Sequence, residues 1–128
     1  GIIVPDLHYG RDALIGIALF LTHLAKEKKS IKQLRSNYPD YFISKNKIEL
    51  MPGVDLKKIF EHIQKKYQKN PINTEDGLKI EFDNDWVHLR SSNTEPIIRI
   101  YAESNSETVA ANIAKRLMGD IKEAADLN

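Results

Sequence analysis

Residues 78–82 read Leu78-Lys79-Ile80-Glu81-Phe82, so apolar and charged side chains alternate as they do in a strand with one buried face. The next three residues, Asp83-Asn84-Asp85, are typical of a hairpin turn. Two further strand-like runs follow, Trp86-Val87-His88-Leu89 and Ile97-Ile98-Arg99-Ile100-Tyr101. The pattern therefore predicts three consecutive antiparallel strands, the last of which extends to Glu103.

Helices are predicted on both sides of these strands. Asp55 is a suitable N-cap for a helix whose apolar positions fall on one face, namely Leu56, Ile59, Phe60, Ile63 and Tyr67. Ser104 and Glu107 have the spacing of a capping box, which predicts the start of a last helix there. Its expected core-facing stripe consists of Val109, Ile113, Leu117 and Ile121. A further strand is predicted between Tyr41 and Leu50, followed by a turn at Pro52-Gly53. Residues 41–128 are thus expected to form an α+β domain, an antiparallel four-stranded sheet with helices on one face.

The first 40 residues have a different pattern. Residues 1–4 resemble a short strand, and Asp12 is a suitable N-cap for a helix that reaches about Lys28. Because this helix is apolar almost all round until Thr22, it is expected to be buried on more than one side. Ser30 predicts the N-cap of a short second helix, and residues 26–30 are the expected hinge between domains.

Composition narrows the classes of function. The 128-residue chain has 19 basic and 18 acidic residues, a net charge of +1 and no cysteine. Disulfides and thiol catalysis are excluded, which is compatible with a cytoplasmic protein. The balanced charge does not favour a nucleic-acid partner, since such proteins typically concentrate basic residues on one face. The apolar run of residues 13–21 is too short to span a membrane. The four histidines lack metal-ligand spacing, so no metal site is predicted.

The loop between the last two predicted strands, Arg90-Ser91-Ser92-Asn93-Thr94-Glu95-Pro96, offers a guanidinium, three hydroxyls and an amide within seven residues. Arginine presents a planar fork of donors that fits phosphate or carboxylate, and such charge-assisted bonds are strong. These residue types favour an anion site about as much as a surface turn in which Arg90 is solvated or paired with Glu95. Arg99, on the following strand, either adds charge to that site or faces solvent.

This loop closely resembles the phosphate-binding loop in the C-terminal domain of the α-D-phosphohexomutases, the phosphoglucomutase, phosphomannomutase and phosphoglucosamine mutase enzymes. Residues 1–14 resemble the segment that follows the sugar-recognition loop in the family's third domain. The two matches occur in the family's order. The resemblance implies a C-terminal fragment in which residues 1–40 are a remnant of the third, α/β domain with the interdomain hinge, and residues 41–128 are a TATA-box-binding-protein-like domain. Because most of the third domain's sheet would then be missing, the apolar first helix is expected to expose a surface that favours self-association.

The resemblance also implies a function. The parent enzyme would interconvert hexose 1-phosphate and hexose 6-phosphate through a phosphoserine and a bisphosphorylated sugar, with Mg²⁺ beside the serine. The family's phosphoserine, metal and sugar loops are not in this sequence, so the fragment is expected to have no catalytic residue and no cofactor of its own.

By the same resemblance, Arg90 would clamp the substrate phosphate, while Ser92, Asn93 and Thr94 would donate hydrogen bonds and Glu95 and Arg99 would support the pocket. Ser91 falls at a variable position and is not assigned. His8 and Tyr9 lie near the end of the sugar loop, where structural roles are favoured. The expected partners are phosphosugars and the upstream domains. The alternative is a small α+β module that binds nucleic acid or protein, because Trp86, His88 and Arg90 share one strand face.

Overall fold

The computed structural model describes residues 1–51 and 53–126 and divides the chain into two compact units, Gly1–Pro39 and Asp40–Asn128. In the first unit, helix α1 spans Ala13–Glu27 and helix α2 spans Ile31–Arg35. Asp12 caps α1 by accepting hydrogen bonds from the backbone N–H groups of Leu14 and Ile15, at 2.8 and 3.1 Å. Ser30 and Gln33 form a complete capping box at the start of α2. Both predicted helices and their N-caps are confirmed.

The strand predicted for residues 1–4 is wrong. Val4 forms only an isolated antiparallel bridge with His8, and the Val4 carbonyl accepts hydrogen bonds from the N–H groups of Leu7 and His8, at 2.9 and 3.1 Å. The chain therefore turns back immediately after Val4. A helix that is apolar almost all round is normally buried, but α1 has no buried residue and Leu14 is 78% exposed. The exposed apolar surface expected for this helix is therefore present. Self-association through α1 stays a prediction.

His8 has a structural contact in this unit. Its Nδ1 accepts a hydrogen bond from the Gly10 N–H at 3.0 Å, so the ring proton is assigned to Nε2, which lies 3.0 Å from Asp12 Oδ2. The hydrogen bond from His8 and those from the α1 backbone lower the pKa of the Asp12 carboxyl below its usual value. Tyr9 is 83% exposed.

The second unit is built on one antiparallel sheet. Its strands are β1 (Phe42–Glu49), β2 (Ile72–Asn73), β3 (Leu78–Glu81), β4 (Trp86–Ser91) and β5 (Ile97–Ser104), in the spatial order β1-β5-β4-β3-β2. Two helices, α3 (Leu56–Lys66) and α4 (Glu107–Asp126), complete the α+β architecture. The predicted fold class is confirmed, with one more strand than the four expected. The two residues of β2 are too few to show an alternating pattern, and pair with Ile80 and Lys79 at the sheet edge.

The core lies between one face of the sheet and the two helices. Strand residues of alternating position pack there against α3 and α4; the fully buried ones include Leu78, Ile80, Val87, Leu89, Ile98, Ile100, Ile59, Ile63, Leu117 and Ile121. Asp55 caps α3 as predicted, by accepting from the backbone N–H groups of Lys57 and Lys58. Gly53 lies in a turn, and Pro52, the other residue of the predicted turn, is outside the described residues.

The capping box predicted for α4 is wrong. Ser104 is the last residue of β5, where it pairs with Phe42 and is 1% exposed, and its hydroxyl accepts from the Ser106 N–H at 3.1 Å. The helix begins at Glu107, with the Ser106 carbonyl accepting from the Ala110 N–H at 3.0 Å. Val109 is accordingly exposed, while Ala110 takes the inward position before Ile113.

A polar cluster joins α3 to α4. Asp120 of α4 is 8% exposed and accepts hydrogen bonds from Lys66 Nζ at 2.8 Å and from the Tyr67 hydroxyl at 2.6 Å. Burial, and then the hydrogen bond to Asp120, raises the pKa of Tyr67 to about 12. The same carboxylate and that of Glu123 raise the pKa of Lys66.

The second face of the sheet is not covered by these helices and carries the charged side chains of the strands. The register places His88 opposite Tyr101 and Lys79, and Arg90 opposite Arg99. Lys47 of β1 pairs in turn with Arg99. Three cations thus lie side by side across β1, β5 and β4, at the end of β4 where the chain enters the loop of residues 92–96. No helix in the described part of the chain has the length and apolar character needed to cross a membrane.

Candidate anion-binding site

A polar cavity of about 290 Å³ lies where β4 ends and β5 begins. It is lined by Asp76, Gly77, Arg90, Ser91, Ser92, Asn93, Thr94 and Arg99. Five of the six predicted site residues therefore line the same cavity: Arg90, Ser92, Asn93, Thr94 and Arg99. The hairpin connection creates this convergence, because Arg90 and Arg99 are paired positions on adjacent antiparallel strands.

Hydrogen bonds within the loop fix its shape. The Ser92 N–H donates to the Ile97 carbonyl at 3.0 Å, and the Ile97 N–H donates to the Glu95 carbonyl at 2.8 Å. The Ser92 hydroxyl accepts from the Thr94 N–H at 3.4 Å and lies 3.3 Å from the Thr94 hydroxyl. The two hydroxyls are therefore held on the same side of the loop. Among the described residues, no hydrogen bond uses the Asn93 side chain, which is exposed.

The electrostatics of the cavity are set by the two guanidinium groups. Arg90 and Arg99 are both exposed and both face the side of the sheet opposite the core. Their cross-strand pairing brings like charges together, which is unfavourable unless an anion lies between or beside them. Asp76 provides one negative charge, with its Oδ1 3.3 Å from Arg90 Nε. One positive charge remains, and together with the hydroxyls of Ser92 and Thr94 it is suited to binding a second anion.

Glu95 is the predicted residue that the structure does not bring to the cavity. It is exposed, it does not line the cavity, and among the described residues the acid that pairs with Arg90 is Asp76 instead. Ser91, which the sequence left unassigned, does line the cavity, at the end of β4 where it pairs with Ile98.

Asp76 and Gly77 are the functional candidates that sequence reasoning missed. Asp-Gly is a common turn dipeptide, so the sequence signals a turn but not its position in space. Because Leu78 pairs with Leu89, the preceding Gly77 lies beside Arg90. Gly77 has φ of +81°, and a Cβ at this position would lie 2.2 Å from the Leu89 carbonyl oxygen. Only glycine fits this close approach, which places Asp76 over the end of β4.

His88 contacts the turn of residues 75–77, called the Asp76 corner below, from the open face of the sheet. Its Nε2 hydrogen-bonds the backbone carbonyl of Asp76. With Arg90, Arg99 and Tyr101 it also lines a smaller cavity of about 140 Å³ on the sheet face. His88 therefore borders the site through a contact to the backbone of the Asp76 corner.

Residues 46–119 match the sequence profile of the family described as phosphoglucomutase/phosphomannomutase, C-terminal domain. The chain belongs to this family. The match includes β3, β4, β5 and the whole wall of the cavity, and it confirms the resemblance drawn from the loop sequence. The curated relatives that match are phosphohexomutases, and this chain corresponds to their C-terminal part.

Two relatives illustrate the similarity. A phosphoglucosamine/phosphogalactosamine mutase of Sulfurisphaera tokodaii is 38% identical over 119 residues, which are 91% of this chain and 26% of the relative. A phosphoglucomutase/phosphomannomutase of Thermococcus kodakarensis is 40% identical over 112 residues, 86% of this chain and 24% of the relative. The chain thus spans about a quarter of the length of these relatives.

Two solved structures of phosphohexomutases share the fold. An N-acetylphosphoglucosamine mutase of Aspergillus fumigatus, solved with GlcNAc-6P and magnesium, superposes with a TM-score of 0.54 over 92% of this chain and 22% of its own, at 21% identity. A phosphoglucomutase/phosphomannomutase family protein of Burkholderia thailandensis gives 0.53 over 72% of this chain and 19% of its own, at 23% identity.

Proposed function

We propose that this chain is the phosphate-binding C-terminal part of a phosphohexomutase, and that its cavity holds the substrate phosphate that is not being transferred. The observation that carries the proposal is the cavity between Arg90 and Arg99, which is closed by the hydroxyls and amide of residues 92–94. Two guanidinium groups and several neutral donors match the charge and the oxygen atoms of a phosphate dianion.

The residues divide the work of binding. Arg90 and Arg99 supply the charge, while Ser92, Asn93 and Thr94 direct hydrogen bonds to the phosphate oxygens. None of these contacts requires a sugar hydroxyl, so the site recognises the phosphate alone. This suits a mutase, because the phosphate on either end of a bisphosphorylated hexose must fit the same site in turn.

In the full enzyme this binding serves catalysis at a distance. The enzyme would move a phosphoryl group between C1 and C6 of the hexose through a phosphoserine, and the remote phosphate held by Arg90 would position the sugar for attack. Binding energy used in this way affects turnover as well as affinity. The substrates would be phosphates of glucose, mannose or glucosamine.

The chain by itself is expected to be inactive. Among the described residues, no three His, Asp or Glu side chains converge, so these residues do not fit a Mg²⁺ site. Mg²⁺, which would stabilise the transferring phosphoryl group, is expected to bind to upstream parts of the full-length enzyme.

The proposal is tested by titrating the chain with glucose 6-phosphate, inorganic phosphate and unphosphorylated glucose while recording backbone amide shifts by NMR. We expect saturable shifts at Ser92, Asn93 and Thr94 with both phosphates and none with glucose. Loss of a charge-assisted contact corresponds to roughly 10- to 100-fold weaker binding in Arg90→Ala. Arg90→Lys keeps the charge and loses the planar fork, so its phosphate affinity should lie between those of the wild type and Arg90→Ala.

The control is Lys57→Ala, which removes one positive charge from an 86% exposed side chain on α3. It should bind phosphate as the wild type does. Equal phosphate affinity in Arg90→Ala and the wild type would overturn the proposed function, and so would equal losses in Arg90→Ala and Lys57→Ala, which would reflect net charge alone.

A further inference from the structure

One residue in the wall of the cavity has a charge of the wrong sign for an anion site. Asp76 is the single acid among the eight described residues that line the cavity. Its carboxylate repels a bound phosphate, and on charge alone it reduces phosphate affinity. Asp76 lies 3.3 Å from Arg90 Nε, and both side chains are more than half exposed, at 65% and 56%. An ion pair this exposed contributes little to stability, so stability does not account for it.

We propose that Asp76 is a positioning residue, which holds Arg90 by its Nε so that the two terminal nitrogens of the guanidinium are directed at the phosphate. The inference rests on the proposed function, because it assigns Asp76 a role only if Arg90 binds the anion. A free arginine side chain has many rotamers and loses that freedom on binding. An arginine already held at Nε loses less, and its fork remains available for bidentate contact.

Three contacts hold the main chain around Asp76 in place. The Glu75 N–H donates to Asn73 Oδ1 at 2.8 Å and closes the turn before the corner. After the corner, Gly77 packs against the Leu89 carbonyl with φ of +81°. From the sheet face, the His88 ring hydrogen-bonds the Asp76 carbonyl. Three separate contacts therefore fix a short exposed segment at the one point where its acid reaches Arg90.

Positioning and simple repulsion predict opposite results when the acid is removed. If Asp76 only repels phosphate, Asp76→Ala binds phosphate more tightly. Because Asp76 positions Arg90, Asp76→Ala should bind inorganic phosphate about 2- to 12-fold more weakly, which is the range for ordering one long side chain on binding. Asp76→Asn, which keeps an oxygen acceptor without the charge, should lose less.

The matched control is Glu75→Ala. Glu75 is the neighbouring acid, it is exposed, and it does not line the cavity. Its removal changes the net charge by the same amount as Asp76→Ala without touching Arg90. We therefore expect phosphate affinity in Glu75→Ala to equal that of the wild type or to rise slightly. A loss equal to that of Asp76→Ala would overturn the inference.

The experiment is an NMR titration of the chain with inorganic phosphate in the wild type, Asp76→Ala, Asp76→Asn, Glu75→Ala, Arg90→Ala and the double variant of Asp76 and Arg90. The Arg90 Nε–H signal is followed as a direct probe and should shift in both Asp76 variants before phosphate is added. In the Arg90→Ala background, Asp76→Ala should cause no further loss, because the residue that it positions is gone.

The outcomes separate the two proposals. If Arg90→Ala weakens phosphate binding but the Asp76 variants do not, or if Asp76→Ala weakens it equally with and without Arg90, the positioning role is wrong and the phosphate site stands. If Arg90→Ala leaves phosphate binding unchanged, the proposed function itself is wrong. If the amide signals of residues 73–78 show that Asp76→Ala unfolds the Asp76 corner, the positioning role is judged from Asp76→Asn instead. Unchanged phosphate affinity and an unchanged Arg90 Nε–H signal in Asp76→Asn would then overturn it.

Discussion

Replacing Gly77 with alanine tests how closely the Asp76 corner is fitted to β4. The new Cβ would lie 2.2 Å from the Leu89 carbonyl oxygen and 3.3 Å from Arg90 Cα. Both neighbours are backbone atoms, and Leu89 is 1% exposed in a strand paired on both sides. The carbonyl therefore has little freedom to move, so we expect the turn of residues 74–77 to lift away from the sheet.

The expected loss in the free energy of unfolding of Gly77→Ala has two parts. A left-handed backbone costs alanine about 1–2 kcal/mol relative to glycine. Relieving the contact with the Leu89 carbonyl requires a shift of roughly 1 Å and adds about 1–2 kcal/mol, as overpacking typically does. Gly53→Ala is the matched control, because Gly53 has a similar φ of +91° but no atom within 4 Å of the added Cβ. It should show only the first part, about 1–2 kcal/mol.

The free energy of unfolding is measured by urea denaturation followed by far-UV circular dichroism. The difference between Gly77→Ala and Gly53→Ala isolates the contact with Leu89, since the effect of alanine on the unfolded chain cancels between them. We also expect phosphate binding to weaken only in Gly77→Ala, where Asp76 moves away from Arg90. If the two variants lose equal stability and bind phosphate equally, the close fit of the corner has no energetic consequence and the reasoning is refuted.

Two further predictions concern titrating groups outside the cavity. Because the pKa of Tyr67 is raised to about 12, unfolded Tyr67 ionises first, and stability present below pH 10 should be lost as pH rises from about 10 to 12. Tyr67→Phe should lower the free energy of unfolding by about 1 kcal/mol at pH 7, because the hydrogen bond to Asp120 is lost. Urea midpoints of this variant should also fall less between about pH 10 and 12 than those of the wild type. An equal fall in both proteins would contradict the raised pKa of Tyr67. The Asp12 carboxyl should titrate below 3.8 by NMR, and its contribution to α1 should persist above that value and disappear as pH falls through the lowered pKa. His8→Ala should move the midpoint back upward, and a midpoint that does not move would show that His8 is not the main cause.

The elements predicted correctly from the sequence are those set by nearby residues. Asp12, Ser30 and Asp55 cap their helices because a side-chain oxygen reaches N–H groups two or three residues away, a geometry that needs no tertiary contact. The Ser104 prediction failed because a distant contact overrides the local one. Pairing with Phe42 of β1 extends β5 through Ser104, and the helix starts only after the ladder ends.

The site shows the same division between local and distant information. The loop of residues 90–94 is contiguous, so its donors are visible in the sequence and its resemblance to a known loop is specific. Asp76 is 14 residues before Arg90, and their contact depends on the register that pairs Leu78 with Leu89. A shift of one residue in that register would turn Arg90 to the core face. The second half of the site therefore follows from strand pairing, which an alternating pattern alone does not determine.

The open face of the sheet bears on the alternative of a nucleic-acid-binding module. Such modules stack bases on exposed aromatic rings. Here Lys45 Nζ lies 5.8 Å from the centre of the Tyr101 ring, and Lys79 Nζ lies 5.5 Å from that of Trp86, whose Nε1–H donates to Glu103 at 3.0 Å. A base would have to displace these lysines from the rings before it could stack. The cations of Arg90, Arg99 and Lys47, in contrast, converge at one end of the sheet beside the loop hydroxyls. Elsewhere on this face the cations are accompanied by acids, since Lys79 Nζ pairs with Glu81 at 2.7 Å and Glu103 contacts Trp86. Unneutralised positive charge at the loop end favours a single compact anion over a polyanionic strand.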